Sequence, residues 1–172
     1  MTTPLVARLR ERLRPDQVRD GAGEVNLYRH DASNLVGRPA VVCFAESTAD
    51  VQAIVRVANE FHVPFVARGS GTGLAGGAVP TAGSIVISTS KMNRILSVDP
   101  CTRIAWVEPG VLNLDLSTQI AHLGVHFAPD PSSQQTCSIG GNVANNSGGP
   151  HCLADGVTSA HIHAVEVVLP DG

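Results

Sequence analysis

The stretch "VPFVARGSGTGLAGGAVP", residues 63–80, places five glycines within ten residues, between two apolar runs that read as strands. Glycine costs conformational entropy and offers no side chain, so such density points to a task for the backbone itself. Gly71, Gly73 and Gly76 match G-x-G-x-x-G after a strand, the spacing of a dinucleotide-binding turn. That turn needs a helix directly after it, because the helix N-terminus meets the pyrophosphate. Here the chain continues as "GGAVPTAGSIVIS", with Pro80 and then a β-type run, so no amphipathic helix can be drawn. A Walker A loop is excluded as well, since no Lys-Ser/Thr pair follows the last glycine. What survives is an anion-cradling loop between two strands, whose successive N–H groups form a concave nest for phosphate oxygens. Ser70 and Thr72 can add hydroxyl donors, and Arg68 can add charge. The alternative is a tight connection that only needs positive φ angles.

Upstream, "AVVCFA" reads as a buried strand and "ESTADVQAIVRVANEFH" as a helix, with Val51, Ile54, Val55 and Ala58 at helical spacing. Ser47 with Asp50 supplies a capping box at its start. With "VPFVA" next, the opening is strand–helix–strand, consistent with a parallel pair joined by a crossover. The segment to about Pro15 is expected to be a helix, with an irregular stretch from there to Pro39. Downstream, "SIVIS", "RILSVD" and "RIAWVEP" are short runs rich in β-branched residues. A helix is expected from Asn113 to Leu123, with Leu112, Leu116 and Ile120 on one face and Gly124 ending it. The final run "HAVEVVLPDG" has strand character. The fold class is therefore α+β, with two specialised loops.

Length and composition bound the function. The 172 residues suffice for one domain with a real core, and the net charge of −3 gives no general attraction to nucleic acid. No apolar run is long enough to span a bilayer, and the N-terminus lacks a signal peptide's hydrophobic centre. A cytoplasmic location is expected. Cys43, Cys101, Cys137 and Cys152 are scattered without a CxxC pair, which fits reduced thiols better than a disulfide framework or structural zinc. Arg8, Arg10, Arg12 and Arg14 read as the solvated side of a helix whose Leu5, Leu9 and Leu13 point inward. His151, Cys152, His161 and His163 lack the carboxylates of a metal cluster and read as ordinary histidines and thiol, with His161 and His163 sharing one face of a strand.

The second polar loop, "PDPSSQQTCSIGGNVANNSGG", carries four glycines and three asparagines at residues 129–149. Small side chains let a ligand approach the backbone, and polar ones supply hydrogen bonds to a heterocycle or ribityl chain. Asparagine also tolerates left-handed backbone, so a merely convoluted loop is the competing reading.

Together the stretches "VARGSGTGLAGGAVP", "SKMNRILSVDP", "WVEPGV", "FAPDPSSQQTCSIGGNVANNSGGPHCLADGVT" and "VEVVLPDG" resemble the FAD-linked oxidases of the vanillyl-alcohol-oxidase/PCMH family. Within it the resemblance is to the glycolate oxidase flavin subunit and D-lactate dehydrogenase group. The motifs occur in the family's order across residues 37–172. The resemblance implies a PCMH-type FAD-binding domain over 37–172, made of two small α/β subdomains with FAD extended between them, after a lead-in at 1–36. Ala67, Arg68, Gly69, Ser70, Gly71, Thr72 and Gly73 then correspond to the pyrophosphate loop. Pro131, Ser132, Ser133 and the run to Ser138 correspond to the segment passing the flavin. Gly140, Gly141 and Asn142, followed by Asn145, Asn146, Ser147 and Gly148, correspond to the loop closing on the cofactor. Some relatives hold FAD covalently through a histidine in the pyrophosphate loop. Thr72 stands at that position and cannot form the link, so the FAD is expected to be non-covalent. Cys137 reads as a buried structural thiol.

The resemblance also sets an expectation of truncation. After "VEVVLPDG" family members continue with further flavin-contacting strands and a substrate domain carrying the acid–base and metal residues. No catalytic residue is therefore assigned in this chain. Its small-molecule partner is expected to be a 2-hydroxy acid met through that further domain, with an electron acceptor or companion subunit besides. The alternative is a non-catalytic remnant or partner subunit that holds no flavin alone.

Overall fold

The structure is a computed structural model that describes residues 3–172, and the chain divides into two compact units. The first runs to Lys91 and takes in Val167–Gly172, and the second is Met92–Glu166.

In the first unit, helix α1 (Pro4–Arg12) is capped by Thr3, whose Oγ1 accepts from the Val6 N–H at 3.4 Å. Its Leu5, Val6 and Leu9 are buried, as the arginine-outward reading requires. The stretch expected to be irregular holds a two-residue strand β1 (Val18–Arg19) and a short helix α2 (Ala22–Asn26). Strand β2 (Val41–Phe44), helix α3 (Thr48–Glu60), strand β3 (Phe65–Arg68) and strand β4 (Ile85–Ser88) follow. Ser47 caps α3, its Oγ accepting from the Asp50 N–H at 3.2 Å. The Asp50 carboxylate does not close the box onto Ser47: it accepts from the Glu46 N–H and from the buried Gln17 amide, both at 2.9 Å.

The sheet order is β1-β2-β4-β3, with β2, β4 and β3 parallel and β1 antiparallel to β2. The expected crossover from β2 through α3 to β3 exists, but the two strands are not neighbours. Strand β4 lies between them, with Ile85 in register with both Val41 and Phe65. The reason is burial: all four residues of β4 are buried, whereas β3 alternates between exposed and partly buried positions and suits an edge. Parallel neighbours usually need a crossover helix. Here β3 and β4 are joined by residues 69–84, the glycine loop, with no helix in it.

In the second unit, strands β5 (Ile95–Asp99) and β6 (Ile104–Val107) form an antiparallel hairpin. Asp99 shapes its turn by accepting from the Cys101 N–H at 2.9 Å and the Thr102 hydroxyl at 2.8 Å. Helix α4 (Asn113–Ile120) continues as a 3₁₀ turn over Ala121–Leu123 and stops at Gly124, φ +73°, as its sequence signals indicate. Val111, Leu116, Ile120 and Ile139 form the core, with Ile95, Val98, Val107, Val125 and Phe127 packed against it.

Three expectations change. Within the polar segment at 129–149, residues Ile139–Asn145 form a helix, α5, rather than an open loop. Ser138 caps it through the Gly141 N–H at 3.3 Å, and a Cβ at Gly140 would come within 2.6 Å of Pro109 Cβ, so the glycine is what lets the turn pack there. A last short helix, α6, covers Cys152–Asp155, and His161 sits in a 3₁₀ turn rather than a strand. The run "HAVEVVLPDG" pairs with no strand among the described residues, since strand structure needs a neighbouring ladder and none lies beside it. Val165, Val167 and Leu169 are exposed there.

Candidate functional site

The glycine loop begins where β3 ends. Among the described residues, the backbone N–H groups of Ser70, Gly71, Thr72 and Gly73 donate to no backbone carbonyl. A run of uncommitted donors is unusual in folded chains, where backbone polar groups are nearly always paired or wet, and it is what an anion nest requires. Gly71 and Gly76 adopt the left-handed region, at φ +74° and +76°. Ser70 is exposed, Thr72 and Gly73 are partly buried, and no carboxylate lies among Ala67–Gly73. Ala67 itself is in β3, in register with Ile87 of β4.

Arg68 projects beneath this turn. Its Nη1 donates to the His30 carbonyl at 2.5 Å, and its guanidinium carbon lies 5.4 Å from the centroid of the Tyr28 ring. Burial pushes the Arg68 guanidinium down from its ordinary value, with Tyr28 and Asp31 opposing. Burial acts in the opposite sense on the Tyr28 hydroxyl and pushes it up. Asp31 is occupied locally: its Oδ1 accepts from the Ser33 N–H at 2.8 Å. Burial would raise this carboxyl, but the Ser33 hydrogen bonds and the Arg68 charge among others outweigh it and hold the group low. The Ala32 N–H donates to the Gly73 carbonyl at 3.1 Å. Tyr28, His30, Asp31 and Ala32 were not legible as site residues, because "YRHDAS" has no periodicity and lies far from the loop in sequence.

In the second unit, Pro131 is buried, Ser132 is exposed, and the Ser133 carbonyl accepts from the N–H groups of Thr136 and Cys137, both at 2.8 Å. This turn is fastened to α4: the Cys137 carbonyl accepts from the Asn113 N–H at 2.9 Å, and the Asn113 side-chain amide donates to the Pro129 carbonyl at 2.9 Å. Cys137 is buried, and burial raises its thiol although Ser133 and Asn142 oppose, so it has the character of an inert packing residue. Asn142, on α5, is 1% exposed, and its side-chain nitrogen has no hydrogen-bond partner. A buried amide without a partner costs free energy, and a ligand acceptor would remove that cost.

The remaining residues of this group fasten the end of α5. Asn145 donates to the Gly141 carbonyl at 2.9 Å. Asn146 takes φ +47° and accepts from the Ser159 N–H at 2.8 Å. The Ser147 carbonyl accepts the Thr158 hydroxyl at 2.7 Å, and Gly148 leaves room for Val157 and Cys152. His151 bonds the Asp130 carboxylate through Nδ1 at 2.5 Å, and His161 bonds the Asp155 carbonyl through Nε2 at 2.7 Å. No helix among the described residues is long and apolar enough to cross a membrane.

The family model described as "FAD binding domain" matches residues 39–172. The glycolate oxidase subunit GlcD of Escherichia coli strain K12 is 44% identical over 135 residues, covering 78% of this chain and 27% of that protein. GlcD of Bacillus subtilis strain 168 is 38% identical over 159 residues, covering 92% of this chain and 34% of its own length. The D-lactate dehydrogenase of Anaerostipes hadrus is 39% identical over 147 residues, covering 84% and 31%. The chain therefore spans about a third of the length of these relatives. Among solved structures, an alkyldihydroxyacetonephosphate synthase superposes with a TM-score of 0.89 at 23% identity, over 100% of this chain and 34% of that one. A substrate-bound p-cresol methylhydroxylase gives 0.75 at 25% identity, over 83% and 29%.

Proposed function

Because this chain belongs to the FAD binding domain family, we propose that it holds FAD non-covalently as the flavin-binding part of a 2-hydroxy-acid oxidoreductase of the glycolate oxidase and D-lactate dehydrogenase kind. The observation that carries this reading is the run of unpaired N–H groups at Ser70–Gly73, with a guanidinium beneath it and no carboxylate within it. A diphosphate fits such a donor set. In this reading Ala67–Gly73 hold the pyrophosphate, with Ser70 and Thr72 adding hydroxyl donors. Pro131, Ser132, Ser133 and Ser138 line the flavin segment, and Gly140–Asn142 with Asn145–Gly148 close it. The unpaired amide of Asn142 supports a polar ligand atom at that residue.

Bound FAD would supply the hydride acceptor for the oxidation. The chain's own part is to bind and orient. The base that takes the hydroxyl proton, and the choice between glycolate, D-lactate and related acids, are assigned to residues outside this chain. A second reading, uptake of flavin only beside a companion polypeptide, is favoured by the exposed apolar row Val165, Val167 and Leu169.

The visible absorption spectrum tests both. Flavin bands that appear on adding FAD, saturate, and leave with the small-molecule fraction on acid denaturation are the expected result. A chain that takes up no FAD overturns the proposal in favour of the second reading. Flavin that stays with the denatured chain overturns the non-covalent assignment.

A further inference from the structure

The glycine loop rests on a side chain. A Cβ built at Gly71 would land on the Arg68 guanidinium, 3.1 Å from Nε and nearer still to the other atoms, so the planar group fills the space under that residue. The guanidinium also lies 5.4 Å from the Tyr28 ring centroid and donates to the His30 carbonyl. The same lead-in grips the loop twice more. Ala32 donates to Gly73, and Leu35 Cδ1 lies 2.7 Å from where a Cβ at Gly76 would stand. The Asp31 carboxylate forms no hydrogen bond with the guanidinium: Ser33 holds its Oδ1, and its buried Oδ2 has no hydrogen-bond partner.

We propose that Arg68 is a positioning residue, a pillar clamped by Tyr28 and the His30 carbonyl that fixes the Gly69–Gly73 turn, so that the lead-in Tyr28–Leu35 is a working part of the phosphate site. This rests on the reading of that turn as the phosphate loop. A guanidinium suits the task because its flat face stacks on an aromatic ring while its edge donates in a fixed direction. A lysine ammonium carries the same charge but offers neither the plane nor the fork.

The purified protein is compared with Arg68→Lys, Tyr28→Leu and Tyr28→Phe in two measurements. Amide exchange without FAD is read at Ala32 and Val79, whose N–H groups donate to Gly73 and Gly76, with Ile87 of β4 as the control. FAD affinity is read by quenching of flavin fluorescence. Arg68→Lys and Tyr28→Leu should each speed exchange at Ala32 and Val79 at least tenfold, leave Ile87 protected, and weaken FAD at least tenfold. Tyr28→Phe, which keeps the aromatic face, should behave as the wild type. Unchanged exchange in Arg68→Lys, or full FAD affinity in that variant, overturns the pillar and leaves charge alone as the role of Arg68. Faster exchange that extends to Ile87 in both disruptive variants also overturns it, by showing general support of the sheet. Local loosening in a protein whose wild type takes up no FAD leaves the pillar standing and sinks the flavin assignment instead.

Discussion

Gly71 and Gly83 offer a controlled comparison within one connection. Both are left-handed, at φ +74° and +75°, but a Cβ at Gly83 would meet nothing within 4 Å, whereas one at Gly71 would meet the Arg68 guanidinium. An alanine at either position bears a backbone penalty of about 1–2 kcal/mol. Only Gly71→Ala also disturbs the turn that presents the free N–H groups. Fluorescence titration with FAD should therefore show at least a tenfold loss for Gly71→Ala and almost none for Gly83→Ala. Equal affinities in the two variants would sink the loop assignment. The sequence pointed to a backbone task at Gly71, through glycine density and a nest of N–H groups for phosphate oxygens. The structure adds a second reason, since the space beneath Gly71 is already filled by a side chain three residues earlier.

Among the elements, α3 was legible nearly to the residue, because an apolar stripe and a serine cap are both local signals. The bond partners of its first turn were not. Removing the cap in Ser47→Ala should cost about 1 kcal/mol, the usual value for such a residue. Asp50→Ala should cost more, about 1–3 kcal/mol, because it leaves the Glu46 N–H without its acceptor and takes one of two acceptors from the buried Gln17 amide. Urea denaturation of the two variants checks the order, and a smaller loss for Asp50→Ala would contradict it. Helix α5 was hidden for the converse reason. Gly140 and Gly141 have poor helix propensity, and the turn forms because Ser138 caps it and the Gly140 N–H bonds the Pro109 carbonyl at 2.8 Å. Strand order was equally out of reach, since periodicity marks β2, β3 and β4 as strands but says nothing about which two of them touch.

For the molecule as a whole, most ion pairs involve largely exposed groups and contribute little to stability. The Asp130–His151 pair differs from these because its cation is an imidazole, whose charge depends on pH. The Asp130 hydrogen bond comes first in raising His151 above its ordinary 6.5, and the same bond holds Asp130 below 3.8. The stabilisation linked to a raised histidine is fully present below pH 6.5 and disappears as pH climbs through the raised value. That linked to a lowered aspartate is present above pH 3.8 and disappears as pH falls through the lowered value. The melting-temperature gap between wild type and His151→Ala should thus be widest between these limits and narrow above them. A gap independent of pH would assign His151 a packing role only.

The division of the chain has a consequence for its biogenesis. The first unit is left at Lys91 and re-entered at Val167, and the returning strip is fastened to α3 by Asn59 to the Pro170 carbonyl and Arg56 to the Gly172 carbonyl, both at 2.7 Å. The second unit, by contrast, is one continuous piece of sequence with its own core around Val111, Leu116, Ile120 and Ile139. Nascent chains generally fold from the N-terminus as each domain emerges from the ribosome. Here residues 92–166 have all emerged before the strip Val167–Gly172 can reach α3, so the core of the second unit can form ahead of those contacts of the first.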